Sequence, residues 1–329
     1  VGDRVLVTGG AGFIGRALVA ALIAENAHAI ESPVLVLDNL HRSSASVLQP
    51  LADAGKVVFT EGDIRDAELL RDLMRGVSVV FHLAAQSNVI GSESDPDYAY
   101  TTNVTGTYHV LQEAGRAGVG RVVFSSSREV YGEARTLPVS ESAPVRPQNM
   151  YGASKAADEM LARAAIGRWG LEVVAPRIAN VYGPGDRDRV IPLWIGRALA
   201  GQEMLVYGGR QVIDFIWLGD VIRALMDAAW ASPDALRPAI DATGPGGRGF
   251  FARFNLGTGA GTTILDLAER LKQAMRSDVP VTVVPPRSEE VERFVADNTL
   301  LRAIFGWAPD APLAHLDETV RAYTGANIN

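Results

Sequence analysis

The sequence predicts an α/β fold, a doubly wound parallel sheet with a smaller α/β region attached. Three observations carry that prediction. Apolar β-branched runs alternate with helix-period segments through the first half of the 329 residues, as strands buried on both faces and joined by crossover helices do. The first run ends on a glycine-rich turn that opens a helix, Thr8-Gly9-Gly10-Ala11-Gly12-Phe13-Ile14-Gly15. The second run, Val34-Leu35-Val36-Leu37, ends on an acid, Asp38, followed by Asn39.

The first strand is Val5-Leu6-Val7, and after the turn Phe13, Ile14, Ala17, Leu18, Ala21 and Leu22 recur at helical spacing. The turn fits Gly10-x-Gly12-x-x-Gly15, and also Gly9-x-x-Gly12-x-x-Gly15. Glycines in such a place permit a tight turn and a close approach by pyrophosphate, while the helix N-terminus presents free N–H groups to the anion. Asp38 stands where a ribose-binding carboxylate falls, about 20 residues beyond the glycines. A carboxylate there bonds the ribose hydroxyls and repels a 2′-phosphate, which favours NAD over NADP. His41 and Arg42 follow closely and soften that preference.

Composition bounds the function. With 47% hydrophobic and 21% charged residues the chain is of globular type, and its length suits one large domain or two ordinary ones. A net charge of −7 provides no basic field for nucleic acid or an anionic membrane. The absence of cysteine excludes disulfides, thiolate catalysis and zinc–thiolate sites. No run reaches transmembrane length and the chain starts directly in a strand, so a cytoplasmic enzyme is the expectation. No metal ligand set stands out.

A third strand at 56–59 leads to Gly62-Asp63-Ile64-Arg65-Asp66. In a doubly wound sheet this strand end lies beside the adenine, which makes Asp63 a candidate for its amino group; Asp63 as N-cap of a helix over 67–74 is the competing reading. The next strand, 77–83, ends His82-Leu83-Ala84-Ala85-Gln86-Ser87, where small residues let the backbone approach a cofactor. His82 has no companion at metal-ligand spacing and reads as structural. Asn103, in the helix-like Asn103-Val104-Thr105-Gly106-Thr107, either holds a kink or helps fix the active site.

The strand Arg121-Val122-Val123-Phe124 runs into Ser125-Ser126-Ser127-Arg128-Glu129-Val130-Tyr131-Gly132. After loops broken by Pro138, Pro144 and Pro147, Tyr151-Gly152-Ala153-Ser154-Lys155 opens a helix. Tyr151 and Lys155, four apart, share one helix face. A phenol titrates near pH 10 unaided; a neighbouring ammonium and a cofactor's positive charge favour phenolate. Ser127, at a strand's carboxyl end, can bond the same substrate oxygen.

In these motifs the chain resembles an extended short-chain dehydrogenase/reductase, specifically the NAD-dependent nucleotide-sugar epimerase/dehydratase family, nearly end to end. The resemblance runs from Thr8 through Asp38-Asn39-Leu40, Gly62-Asp63, His82-Leu83-Ala84-Ala85, Asn103-Val104-x-Gly106-Thr107, Ser125-Ser126-Ser127, Val130-Tyr131-Gly132, Tyr151-x-x-x-Lys155 and Arg177-x-x-Asn180-Val181-Tyr182-Gly183-Pro184. It implies a Rossmann nucleotide domain contacting NAD through Gly9, Gly12, Phe13, Ile14, Gly15, Asp38, Asn39, Asp63, Ile64, Leu83, Ala84, Ala85, Tyr151 and Lys155. It further implies that Tyr151 takes a proton from the sugar C4 hydroxyl, that Ser127 holds that oxygen, and that Lys155 binds ribose and depresses the Tyr151 pKa. The 4-keto sugar so formed returns as the 4-epimer, or is dehydrated or decarboxylated. Glu129 bears on that choice: 4,6-dehydratases carry an Asp-Glu pair where this chain has Arg128-Glu129. Glu129 either acts on the keto intermediate or pairs with an arginine and only shapes the site. A non-catalytic NAD-binding sensor is the reading from another class.

The domains expected are a nucleotide domain over 1–176 with returning segments around 214–258, and a nucleotide-sugar domain from 177–213 and 259–329. An amphipathic helix is expected over 191–200, and another from Asp220 back against the first domain. By resemblance Asn180 and Arg287 grip the substrate. The usual diphosphate arginine is replaced by Ile213, and Arg210 is the candidate substitute. Ala242-Thr243-Gly244-Pro245-Gly246-Gly247-Arg248-Gly249 reads as a plain surface loop or as a mobile cover for the site. A homodimer through helices near 103–115 and 151–169 completes the expectation.

Overall fold

The computed structural model describes residues 3–24, 30, 33–286 and 291–325. In chain order the strands are β1 Val5–Thr8, β2 Val34–Asp38, β3 Val57–Glu61, β4 Val79–His82, β5 Arg121–Phe124, β6 Ser126–Ser127, β7 Glu172–Ile178 and β8 Asn180–Tyr182. They continue as β9 Met204–Tyr207, β10 Val212–Ile213, β11 Phe215–Trp217, β12 Ile240–Thr243, β13 Phe250–Leu256, β14 Thr262–Thr263, β15 Val281–Val284 and β16 Arg293–Phe294.

The main sheet runs β12-β13-β7-β5-β4-β1-β2-β3, with β6 pairing β7. Every pair in it is parallel except β12 with β13. The chain builds outward from β1 to β3, then returns to β4 on the other side of β1. That reversal opens a crevice at the carboxyl ends of β1 and β4. Alternate side chains of β1 divide between two cores. Val5 and Val7 join Phe81 and the helices Phe13–Ala24 and Leu218–Trp230; Leu6 joins Leu35, Val80 and the helices Ala67–Leu73, Thr107–Ala117 and Met150–Trp169. The period of two puts successive residues on opposite faces, so the sheet is covered on both.

A third core gathers Trp194, Ile195, Met204, Phe215, Leu267, Leu271, Leu316 and Val320. It belongs to helices Val190–Leu199, Ile264–Met275 and Leu316–Thr324 around the parallel pair β9–β15. Buried Asp214 joins the regions: its carboxylate accepts from Thr258 N (2.8 Å), the Thr258 hydroxyl (2.7 Å), Gly259 N (3.1 Å) and Ala296 N (3.0 Å).

Three details decide between or refine the sequence expectations. Asp66, not Asp63, caps helix Ala67–Leu73, accepting from Glu68 N and Leu69 N. The glycine-rich stretch after Ala242 is the turn of the β12–β13 hairpin; since Phe250 pairs with Glu172 at the start of β7, that turn lies at the amino ends of the strands, opposite the crevice, and covers nothing there. Helix Thr299–Phe305 packs on the main sheet, with Leu301 and Ile304 in the first core and Phe305 edge-on to Phe254 of β13 at 5.3 Å.

Candidate active site

A cavity of about 490 Å³ occupies the crevice. Gly9, Gly12, Phe13, Ile14, Gly15, Asp38, Asn39, Ile64, Leu83, Ala84 and Ala85 line one end. Ser127, Arg128, Glu129, Tyr151, Lys155 and Asn180 line the other, and Leu205, Tyr207, Gln211, Ile213 and Phe215 bring the second region against it.

At the first end the backbone does the shaping. Gly9 has φ +73°, and a Cβ there would lie 2.6 Å from Ala84 N; a Cβ on Gly15 would lie 2.1 Å from Gly9 O. Only glycine permits this conformation and these approaches. Asp38 braces the turn, accepting from Ala11 N (3.0 Å), Leu40 N (2.9 Å) and the Ser43 hydroxyl (2.8 Å). Asp63 is held beside the cavity rather than on its wall: Asn39 donates to it at 2.9 Å and Arg65 grips both its oxygens. Burial works to raise its pKa, but the Arg65 and Asn39 bonds outweigh it and hold the carboxyl at about 2. A tight turn at a helix N-terminus, an acid on the cavity wall and a strand end of small residues fit a dinucleotide.

At the second end a buried polar network does the shaping. The Ser126 hydroxyl donates to Glu159 Oε1 at 2.6 Å, and Arg177 grips both Glu159 oxygens at 2.8 and 2.6 Å. This pins β6 and β7 to helix Met150–Trp169, and so sets Ser127 against Tyr151. Asn149 caps that helix, accepting from Gly152 N at 2.8 Å, and its Nδ2 donates to Glu129 Oε2 at 3.0 Å. Arg128 Nη2 lies 2.8 Å from the other oxygen of Glu129. Asn103 sits in a π-helical stretch, Tyr100–Gly106. It accepts from Gln86 N at 2.8 Å and donates to Gln86 O at 3.2 Å and to Ser154 Oγ at 2.8 Å. It therefore serves both a helix irregularity and the placement of the helix that carries Tyr151.

Electrostatics follow from burial. Burial pushes the Tyr151 phenol up; the Ser127 hydroxyl beside it and the Arg189 charge pull it down, while Glu129 and Asp158 push it further up. The net direction in the protein alone is thus upward, opposite to the depression that the Tyr–Lys spacing suggested. Burial pushes the Lys155 ammonium down, opposed by Asp158, whose oxygen is 3.8 Å away. Burial also raises Asp158 to about 7. His82 bridges Thr8 (2.8 Å) and Thr107 (2.9 Å), and burial followed by the Lys155 charge lowers its pKa to about 3, so the ring is a neutral structural link.

Asn180 Oδ1 and Gln211 Oε1 are buried on the cavity wall without a hydrogen-bond partner among the described residues. Buried acceptors are normally satisfied, so these two point to a ligand. Arg210 does not line the cavity: its side chain is 75% exposed and paired with Glu292 at 3.0 Å. Arg287 lies outside the described residues. Thr102, whose buried hydroxyl on the cavity wall has no hydrogen-bond partner among the described residues, and Asn149 are not singled out by the sequence. Asn149 carried a readable signal, an Asn three residues before Gly152 at a helix start; Thr102 carried none.

Comparison with known proteins agrees with this geometry. Residues 5–238 match the model of the NAD dependent epimerase/dehydratase family. A UDP-glucose 4-epimerase of Mycolicibacterium smegmatis is 35% identical over 318 residues, covering 94% of this chain and 95% of that one. Two crystal structures superpose over 98% of the chain. One is a dTDP-glucose 4,6-dehydratase of Streptomyces venezuelae with NAD bound (TM-score 0.86, 34% identity, 97% of that chain covered). The other is a UDP-glucose 4-epimerase of Thermotoga maritima with UDP-glucose (TM-score 0.85, 31% identity, 99% covered). The glycine cradle, the braced acid and the match along most of the chain lead to one conclusion: the chain belongs to the NAD dependent epimerase/dehydratase family and is an NAD-dependent enzyme of the nucleotide-sugar epimerase/dehydratase type.

Proposed function

We propose that the chain is a nucleotide-sugar 4-epimerase, an isomerase working through a transient 4-keto sugar. The observation that carries this reading is Arg128, paired with Glu129 at the end of the cavity shared with Ser127 and Tyr151. Eliminating a C6 hydroxyl requires a proton for the departing oxygen. A guanidinium remains charged throughout the working range and supplies none, and both oxygens of Glu129 are already engaged, by Arg128 and Asn149. Epimerisation needs no such donor, because the proton leaves and returns at one oxygen.

In this reading the glycine turn and Asp38 hold the dinucleotide and Lys155 meets its ribose. NAD, when bound, supplies the acceptor and donor of hydride at the sugar carbon. Tyr151 exchanges the proton of the C4 hydroxyl. Its phenol, pushed up by burial, holds that proton until added positive charge at the site favours phenolate. Ser127 positions the same oxygen, and Asn180 takes the substrate. Glu129 on the cavity wall supports a second reading, dehydration or decarboxylation of the keto sugar. A homodimer is also proposed, supported by Tyr100, Tyr108 and Met160, which are 55%, 40% and 65% exposed on the helices concerned; light scattering tests it.

Proton NMR of UDP- and dTDP-sugars with enzyme and NAD in D₂O decides between the readings. Inversion at C4 without deuterium at C5 is the expected result. Deuterium at C5, or loss of a carboxylate, would establish the second reading. Tight NAD binding with no turnover of any sugar would leave a sensor.

A further inference from the structure

We infer that Asp158 is the buried counter-ion of Lys155, a positioning residue that keeps this lysine an ammonium where the proposed proton exchange needs one. The inference rests on the reading that Lys155 and Tyr151 serve the sugar hydroxyl together.

Helix Met150–Trp169 carries two successive acids on its buried side, Asp158 and Glu159. Their surroundings differ. Glu159 accepts from the Ser126 hydroxyl at 2.6 Å and from two nitrogens of Arg177 at 2.8 and 2.6 Å. Asp158 is fully buried, and neither of its oxygens has a hydrogen-bond partner among the described residues. The Thr107 hydroxyl faces it but is bonded to His82 Nε2 at 2.9 Å. What Asp158 does meet is Lys155, one turn earlier on the helix, with Nζ 3.8 Å from Oδ2. An acid kept for the fold alone would be bonded as Glu159 is.

Lys155 needs this neighbour. Its side chain is only 2% exposed, although it lines the cavity. The Phe124 ring, 4.7 Å from Nζ, supplies a cation–π contact. Among the described residues Asp158 is the one carboxylate within ion-pair distance. Burial favours the neutral amine, and an amine has no charge with which to favour phenolate on Tyr151. An ionised carboxylate beside it opposes loss of the proton, and an ammonium has three N–H donors, enough for the carboxylate and a cofactor ribose. The other titratable groups facing the pair cannot take this role. Tyr151 is the reacting group, Glu159 is neutralised by Arg177, and His82 of β4 is a neutral ring. The carboxylate also pushes the Tyr151 phenol up, so it extends the working pH range at the alkaline end and not at the acid end.

The chain has three lysines, Lys56, Lys155 and Lys272, so Lys155 can be watched directly. In NAD-loaded protein labelled with ¹³C-lysine, K56R and K272R assign two Cε signals and leave the third to Lys155. We expect Asp158→Asn to lower the pH at which that signal titrates by at least about one unit, and to lower the alkaline limb of C4 inversion with it. An unmoved or raised titration overturns the inference, and so does a lowered titration beside an unmoved alkaline limb. If Asp158→Asn does not fold, the wild type decides. Its Lys155 signal should show a second, smaller inflection near pH 7, where Asp158 titrates; a single inflection overturns the inference. A lowered titration in a protein that inverts no sugar at C4 sustains the pairing of Asp158 with Lys155 and sinks the epimerase reading instead.

Discussion

The two ends of the cavity are built by opposite means. At the glycine end the backbone is the instrument, and its central part is one short turn, which lets Gly9 approach Ala84 and which Asp38, at the end of the neighbouring strand, braces through Ala11 N. At the reactive end almost every position depends on a side chain from elsewhere: Ser126 on Glu159, Glu159 on Arg177, Glu129 on Asn149, and Gln86 on Asn103. An anion cradle can be written in one peptide. Placing a hydroxyl, a phenol and an ammonium together requires a buried polar network, and such a network weakens sharply when one member is lost.

Substitutions at the two ends test that contrast. Tyr151→Phe should lower turnover by about 10³ while NAD stays bound, measured as C4-inversion rate and as nucleotide released on denaturation. Loss of NAD along with activity would merge the two ends. Glu159→Ala leaves Arg177 buried without its counterion and should cost about 3–5 kcal/mol in urea unfolding; a change below 1 kcal/mol would show that the network is not what holds β6. Gly9→Ala imposes a positive φ on a residue with a Cβ and should reduce NAD affinity about tenfold or more, read by titration; unaltered affinity would refute the close approach as a requirement.

A smaller effect concerns pH. Asp158 holds its proton up to about 7 in the fold, whereas the unfolded chain releases it in the ordinary carboxylate range. Between those values the native state binds more protons, so this group makes stability fall as pH rises. Asp158→Asn should flatten that slope in denaturation series from pH 4 to 7; an unchanged slope would exclude the group. Smallest of all, Arg210→Ala should alter kcat/KM less than about twofold, since its exposed ion pair contributes little; a tenfold rise in KM would return Arg210 to the substrate site.

The same contrast explains what the sequence could disclose. The alternation of strands, the glycine turn and Asp38 were legible because each is a local pattern with a local cause. Tyr151 and Lys155 were legible as a pair because four residues make one helical face. Arg210 was misplaced because spacing says nothing about which side of a loop a long side chain takes. Asp66 captured the cap because its carboxylate reaches Glu68 N and Leu69 N while Asp63 is held by Arg65. The position of the hairpin turn after Ala242 depended on strand direction, which only the pairing of β13 with β7 fixes. The Tyr151 phenol moved upward because burial, invisible in a sequence, is the largest influence on it.

The π-helical stretch Tyr100–Gly106 has a consequence for insertions and deletions. It lies between α-helical turns, Pro96–Ala99 and Thr107–Ala117, and such a segment holds one residue more than the α path would use. Each residue of an α-helix turns the chain by about 100°. Removing any one residue from this stretch would leave composition and hydropathy almost unchanged and would make the helix more regular. It would also swing Asn103 away from Gln86 and Ser154, or else turn the face carrying Thr107 away from His82. This segment therefore works as a ruler: exposed Tyr100 can change in kind, but the number of residues between Ala99 and Thr107 is fixed.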